Sequence, residues 1–103
     1  MKTIKGLFLS ILLIFTASIS AATVQTGIEV LRADGFKLLE GKRVGLTTNP
    51  TGVDSNLKST IDILWEAENV NLVALYGPEH GVRGNVHAGD VVDNEVDKKT
   101  GLK

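Results

Sequence analysis

The residues of this chain best suited to chemistry stand close together. Glu79 and His80 follow Pro78, with Gly77 and Gly81 on either side and Arg83-Gly84 just beyond. Glycines let a backbone approach a ligand closely, and loops carried by a rigid scaffold are where binding and catalytic groups concentrate. Partial burial would raise the pKa of Glu79 and let it act as a general acid near neutral pH; the alternative is a solvated loop carboxylate. His80 can orient a ligand or bond a backbone carbonyl. Arg83 offers a planar fork suited to a carboxylate, either on an anionic ligand or in a surface salt bridge. Asn49, in a second turn-rich stretch, can donate its amide to a ligand hydroxyl or cap its own turn.

Other chemistries fit less well. Glu79, His80, His87, Asp90 and Asp93 could in principle hold a metal, but their spacing matches no metal-ligand motif. Gly77-Pro78-Glu79-His80-Gly81 lacks the Lys-Ser/Thr ending of a phosphate-binding loop and opens no evident helix. No metal and no cofactor is expected. The chain has no cysteine, which excludes a disulfide framework and any Cys-based zinc site.

The elements that must position these groups read as α/β. Ile28 and Leu31 place a short amphipathic helix over 27–33, stopped by a turn at Asp34-Gly35. Arg43–Thr47 has strand character, and Asn49-Pro50-Thr51-Gly52 is turn chemistry. Ser59 can cap a second helix, with Asp62 reaching back in the manner of a capping box. Ile61, Leu64 and Trp65 give that helix its apolar stripe, Trp65 as part of the core. Val70–Tyr76 is a nearly continuous apolar strand that ends at Gly77-Pro78. A strand, a helix of about ten residues and a buried strand make a βαβ unit with parallel strands. In such sheets ligands bind beyond the carboxyl ends of the strands. If the two strands are neighbours, Asn49 and the Glu79-His80 pair face one crevice.

The first two dozen residues read as an address. Lys2 and Lys5 precede an apolar run from Leu7 to Phe15, broken only by Ser10, and small residues follow through Ser20-Ala21-Ala22. That order is the pattern of a secretory signal peptide, here residues 1–22, with cleavage after Ala22. The apolar run is well short of the roughly 20 residues of a spanning helix, so no stable membrane anchor is expected after its removal. Removing residues 1–22 takes away two lysines and no acids, and the formal charge moves from −1 to −3. That charge gives no footprint for nucleic acid. The chain left for folding is small, and a two-stranded parallel sheet leaves faces that helices normally cover.

Three segments, 27–31, 41–54 and 75–84, carry a resemblance. In order and spacing, Gly27-Ile28-Glu29-Val30-Leu31, Gly41-Lys42-Arg43-Val44-Gly45-Leu46-Thr47-Thr48-Asn49-Pro50-Thr51-Gly52-Val53-Asp54 and Leu75-Tyr76-Gly77-Pro78-Glu79-His80-Gly81-Val82-Arg83-Gly84 resemble the opening of the NamZ-type exo-β-N-acetylmuramidases. Ala88-Gly89 and Thr100-Gly101-Leu102 fit the same pattern. The resemblance implies an enzyme that removes terminal N-acetylmuramic acid from the non-reducing ends of peptidoglycan fragments. It implies a Rossmann-like domain, of which 23–103 is the amino-terminal βαβ part, followed by a smaller domain with the cleft between them. The glutamate of the family's Pro-Glu-His-Gly motif, its proposed catalytic carboxylate, falls on Glu79. His80 and Asn49 fall on positions that line the pocket, and the lactyl carboxylate of the sugar gives Arg83 a partner.

Members of that family continue well beyond a Thr-Gly-Leu of this kind, so the chain is expected to be truncated. Glycosidases generally use two carboxylates; the second is Asp90, Asp93 or a residue in sequence not present here. The expected partners are peptidoglycan-derived muropeptides or disaccharides, and the expected location is outside the cytoplasm, in the periplasm, with release outside the cell as the alternative. The competing readings are a non-catalytic envelope module that binds the same sugars and a truncated remnant that does not fold.

Overall fold

Thr26 opens the first helix, α1 (Gly27–Ala33), and Glu29 turns back to meet it. One Glu29 oxygen accepts the Thr26 backbone N–H at 2.6 Å and the Thr26 hydroxyl at 2.8 Å, answering donors that the first helical turn leaves without partners. The other oxygen accepts from the Ser55 hydroxyl and, at 3.3 Å, from the Ser55 backbone. These donors, the Ser55 hydroxyl foremost and Thr26 next, hold the Glu29 carboxyl down at about 2. Glu29 thus caps its own helix and also ties it to a distant loop. As expected, α1 ends at Asp34-Gly35, with Gly35 at φ +67°. The left-handed path continues through Phe36 at φ +57°, whose ring is buried. A 3-10 turn follows at Lys37–Leu39. These coordinates are a computed structural model that describes residues 23–103 apart from Glu79, Val92 and Asp93. The expected signal peptide, the leading catalytic candidate and one candidate second carboxylate therefore lie outside the described residues.

The strands β1 (Arg43–Thr47) and β2 (Asn71–Tyr76) pair in parallel, with Val44 opposite Leu72, Leu46 opposite Leu75 and Thr47 opposite Tyr76. The register shifts once, between Val44 and Gly45. Between the strands runs α2 (Thr60–Trp65), completing the βαβ unit and packing on β2. The core is Phe36, Ile61, Ile63, Leu64, Leu72 and Leu75, with Ile28, Leu31, Val44 and Leu46 partly buried against it. β2 begins one residue later than its apolar run, because the Val70 N–H still closes a turn onto the Ala67 carbonyl at 3.1 Å.

Two details of α2 depart from expectation. Ser59 does cap the helix, accepting the Ile61 N–H at 3.2 Å. Asp62 does not complete the box: its carboxylate faces Arg83 at 2.9 Å and Lys99 at 2.8 Å, charged donors that bind a carboxylate more strongly than a backbone amide does. Trp65 is 42% exposed rather than core. The buried face comprises Ile61, Ile63 and Leu64, and each step along a helix turns about 100°. Trp65 therefore falls at the edge of that face, where the helix stops after six residues rather than ten.

No helix among the described residues is long and apolar enough to cross a membrane. On the side of β2 away from β1, the Leu75 N–H bonds the Lys103 carbonyl at 2.7 Å, so the Asp97–Lys103 segment is drawn against the sheet.

Candidate functional site

The chain leaves β1 and β2 at the same edge of the sheet, and the Thr48 N–H bonds the Tyr76 carbonyl at 2.9 Å where the strands part. In the first loop, Asn49 Oδ1 accepts the backbone N–H of Thr51 at 3.1 Å and its hydroxyl at 2.8 Å. The Asn49 carbonyl accepts the Gly52 N–H at 3.0 Å. Asn49 therefore caps its own turn, as one of its two readings held. With Oδ1 in that role, the chemistry it can offer a ligand is donation from Nδ2.

The same loop is anchored by Asp54. This buried carboxylate accepts the Asn56 and Lys58 N–H groups, each at 2.9 Å, and pairs with Arg32 at 3.1 Å. The Lys58 amide, foremost, holds its carboxyl below the usual range against the opposing effect of burial.

In the second loop the Gly81 N–H returns to the Pro78 carbonyl at 2.8 Å, a tight turn. A Cβ on Gly77 would meet the Val82 nitrogen at 2.7 Å, so the turn folds back onto a position only glycine can fill. The exposed His80 ring lies with Nδ1 3.3 Å from the Val86 carbonyl. A carbonyl only accepts, so Nδ1 carries the hydrogen, and the neutral ring presents Nε2 as an acceptor.

The two loops meet. Asn49, Pro50, Pro78, His80, Arg83 and Gly84 line one concavity of about 590 Å³. Gly84 sits at φ +74°, and a Cβ there would come within 2.8 Å of Pro50 Cγ. The two strands are neighbours, the condition on which Asn49 and His80 were expected to share one crevice, and both line it. A second hollow of about 510 Å³ is also lined by Arg83, together with Tyr76, Val82 and Asp97; neither Asn49 nor His80 lines it. Asp90 stands on an exposed turn whose N–H bonds the His87 carbonyl at 3.1 Å, and is not among the residues lining the concavity. Among the described residues no cluster of three or more His, Asp or Glu side chains is arranged to hold a metal.

Arg83 is the most heavily bonded side chain of the site. Its Nε bonds one oxygen of Asp97, and its Nη2 bonds the other at 3.0 Å and Asp62 at 2.9 Å. Asp97 raises the guanidinium pKa above its already high value, with Asp62 adding to it. In turn Arg83, then Thr100, holds the Asp97 carboxyl far below the usual carboxylate range. Burial pushes Asp62 up, but Lys99 and Arg83 outweigh it and its carboxyl is lowered. A ligand carboxylate on Arg83 would compete with two protein carboxylates already in place. Sequence reasoning placed Asp62 at a helix cap; nothing local could have joined it or Asp97 to Arg83.

Comparison with known proteins follows the same residues. The family model described as the amino-terminal part of the exo-β-N-acetylmuramidase NamZ matches residues 44–103. The peptidoglycan β-N-acetylmuramidase NamZ of Bacillus subtilis is 57% identical over 79 residues, covering 77% of this chain. The chain spans 19% of that relative's length. A crystal structure of a DUF1343 family protein from Bacteroides fragilis superposes with a TM-score of 0.66 at 70% identity, over 76% of this chain and 18% of the other.

Proposed function

Because the chain belongs to the NamZ exo-β-N-acetylmuramidase family, we propose that the protein releases terminal N-acetylmuramic acid from the non-reducing ends of peptidoglycan fragments. The observation that carries this reading is the meeting of the two strand-end loops, with Asn49 and His80 lining one concavity. A sugar ring presents donors and acceptors side by side. Asn49 Nδ2 can donate to a hydroxyl or to the acetamido carbonyl, and His80 Nε2 can accept from a neighbouring hydroxyl. Glu79, next to His80 in the chain, acts as the catalytic carboxylate, donating a proton to the leaving glycosidic oxygen or withdrawing one from water. Arg83 lines the same concavity and can bind the lactyl carboxylate of the sugar in competition with Asp97 and Asp62.

Residues 1–22 direct export and are removed, so the enzyme works in the periplasm, where its substrate lies. Residues 23–103 contribute the amino-terminal βαβ part of a Rossmann-like domain, and no cofactor takes part.

The test uses the natively expressed protein, recovered from the envelope fraction with Thr23 as its expected first residue. Wild type should release N-acetylmuramic acid from muropeptides. Glu79→Gln should abolish that release and leave the thermal transition in circular dichroism unchanged. Undiminished turnover in the variant removes Glu79 from the mechanism. Saturable binding by wild type with no product over long incubation would identify a sugar-binding module instead.

A further inference from the structure

We propose that Asp97 is a positioning residue for the site, acting through Arg83 to hold the His80 loop against the Asn49 turn. The inference rests on the glycosidase reading for its functional consequence. The geometry behind it is independent of that reading.

Asp97 lies far from the concavity in sequence but is fixed by several donors at once. Its Oδ2 accepts the Thr100 backbone N–H at 3.0 Å and the Thr100 hydroxyl at 2.8 Å. Thr100 is itself buried, and the Asp97 side chain is only 5% exposed. The turn that carries them is closed by the Gly101 N–H on the Asp97 carbonyl at 2.7 Å and bound to β2 through Lys103 and Leu75. Asp97 is therefore an acceptor held in place by its own turn as well as by Arg83. Both of its oxygens take the Arg83 fork, and Asp62 on α2 takes Nη2 from a second direction. A bidentate pair fixes orientation as well as distance, so the Arg83 backbone is tied to both the terminal turn and α2.

The next residue transmits that constraint. Gly84 packs on the Pro50 ring, with no room for a Cβ, and the His80 carbonyl and ring hold residue 86 beyond it. Arg83-Gly84 thus works as a latch whose fixed end is Asp97 and whose free end sets the spacing between Asn49 and His80. Small displacements of catalytic groups cost rate steeply, so losing the latch should act on the chemical step more than on binding.

Asp97→Ala in the natively expressed protein, assayed on a chromogenic β-N-acetylmuraminide, should lower kcat at least about tenfold while KM changes less than about threefold. Lys98→Ala, next in the chain and exposed, should change neither. In parallel, the His80 imidazole 15N resonances, assigned by difference with His80→Gln, should move toward those of a free histidine in Asp97→Ala. Loss of stability alone would lower the melting temperature and leave both readouts in place on the folded fraction. If Asp97→Ala does not fold, Arg83→Lys carries the same test, since it keeps the charge and stem and loses the fork. Unchanged kcat and unchanged His80 resonances in the folded variant overturn the proposal. A wild type that cleaves nothing overturns the glycosidase reading instead, and the His80 resonances still decide the latch.

Discussion

Gly84 is the point at which one side chain would separate the two halves of the site. An L-residue at its φ of +74° carries roughly 1–2 kcal/mol of strain, and a Cβ would press on Pro50 Cγ at 2.8 Å. Gly84→Ala should therefore destabilise the protein by about 1–3 kcal/mol and, by spreading Asn49 from His80, lower kcat more than it changes KM. Urea unfolding together with initial rates checks both. A variant with wild-type kcat would show that the spacing of the loops does not govern the chemical step. At this scale the sequence marked Asn49 and His80 as loop residues at the strand ends, because Asn-Pro and Gly-Pro-Glu-His-Gly are turn chemistry whatever surrounds them. It could not choose between the two readings of Arg83. Asp62 and Asp97 are 21 and 14 residues away, and only folding brings them to one guanidinium.

The elements show the same division. α1 is capped by a local pair, Thr26 and Glu29, whose spacing is visible in the sequence, whereas the Ser55 bond that doubles its use is not. α2 has only six residues, too short to persist alone. It forms because Ile61, fully buried, and Leu64 seal one face of the sheet. Ile61→Ala should cost about 2–5 kcal/mol through lost burial and the cavity left behind. Leu38→Ala, at a residue 70% exposed, should stay within about 0.5 kcal/mol. Chemical denaturation of both variants tests the assignment of the core, and equal effects would refute it. Trp65 shows why periodicity alone misplaces a residue. The pattern gives the direction of a stripe, but the helix length and the partner surface decide where its edge falls.

Across the molecule, carboxylates rather than a large core link distant parts: Glu29 joins α1 to the first loop, Asp54 holds that loop to Arg32, and Asp97 holds Arg83. Each has a folded pKa below its ordinary value. Their stabilisation is present above the unfolded pKa and disappears as pH falls through the folded one. For Glu29 that window runs from 4.5 down to about 2. Thermal stability should be level over about pH 5–8 and decline below that window's upper edge, with Glu29→Gln removing part of the decline. A midpoint that rises on acidification would contradict the sign.

The parallel βαβ order, the turns that end each strand and the family membership follow from the sequence by itself, because apolar runs, Gly-Pro breaks and long loop motifs are local properties. The tertiary structure alone decided that the Asn49 and His80 loops share a crevice. It alone joined Arg83 to Asp62 and Asp97 and left Trp65 at the rim. Each of those outcomes depends on which surfaces meet when the two strands pair, and no local pattern encodes a contact between residues that the chain itself keeps apart.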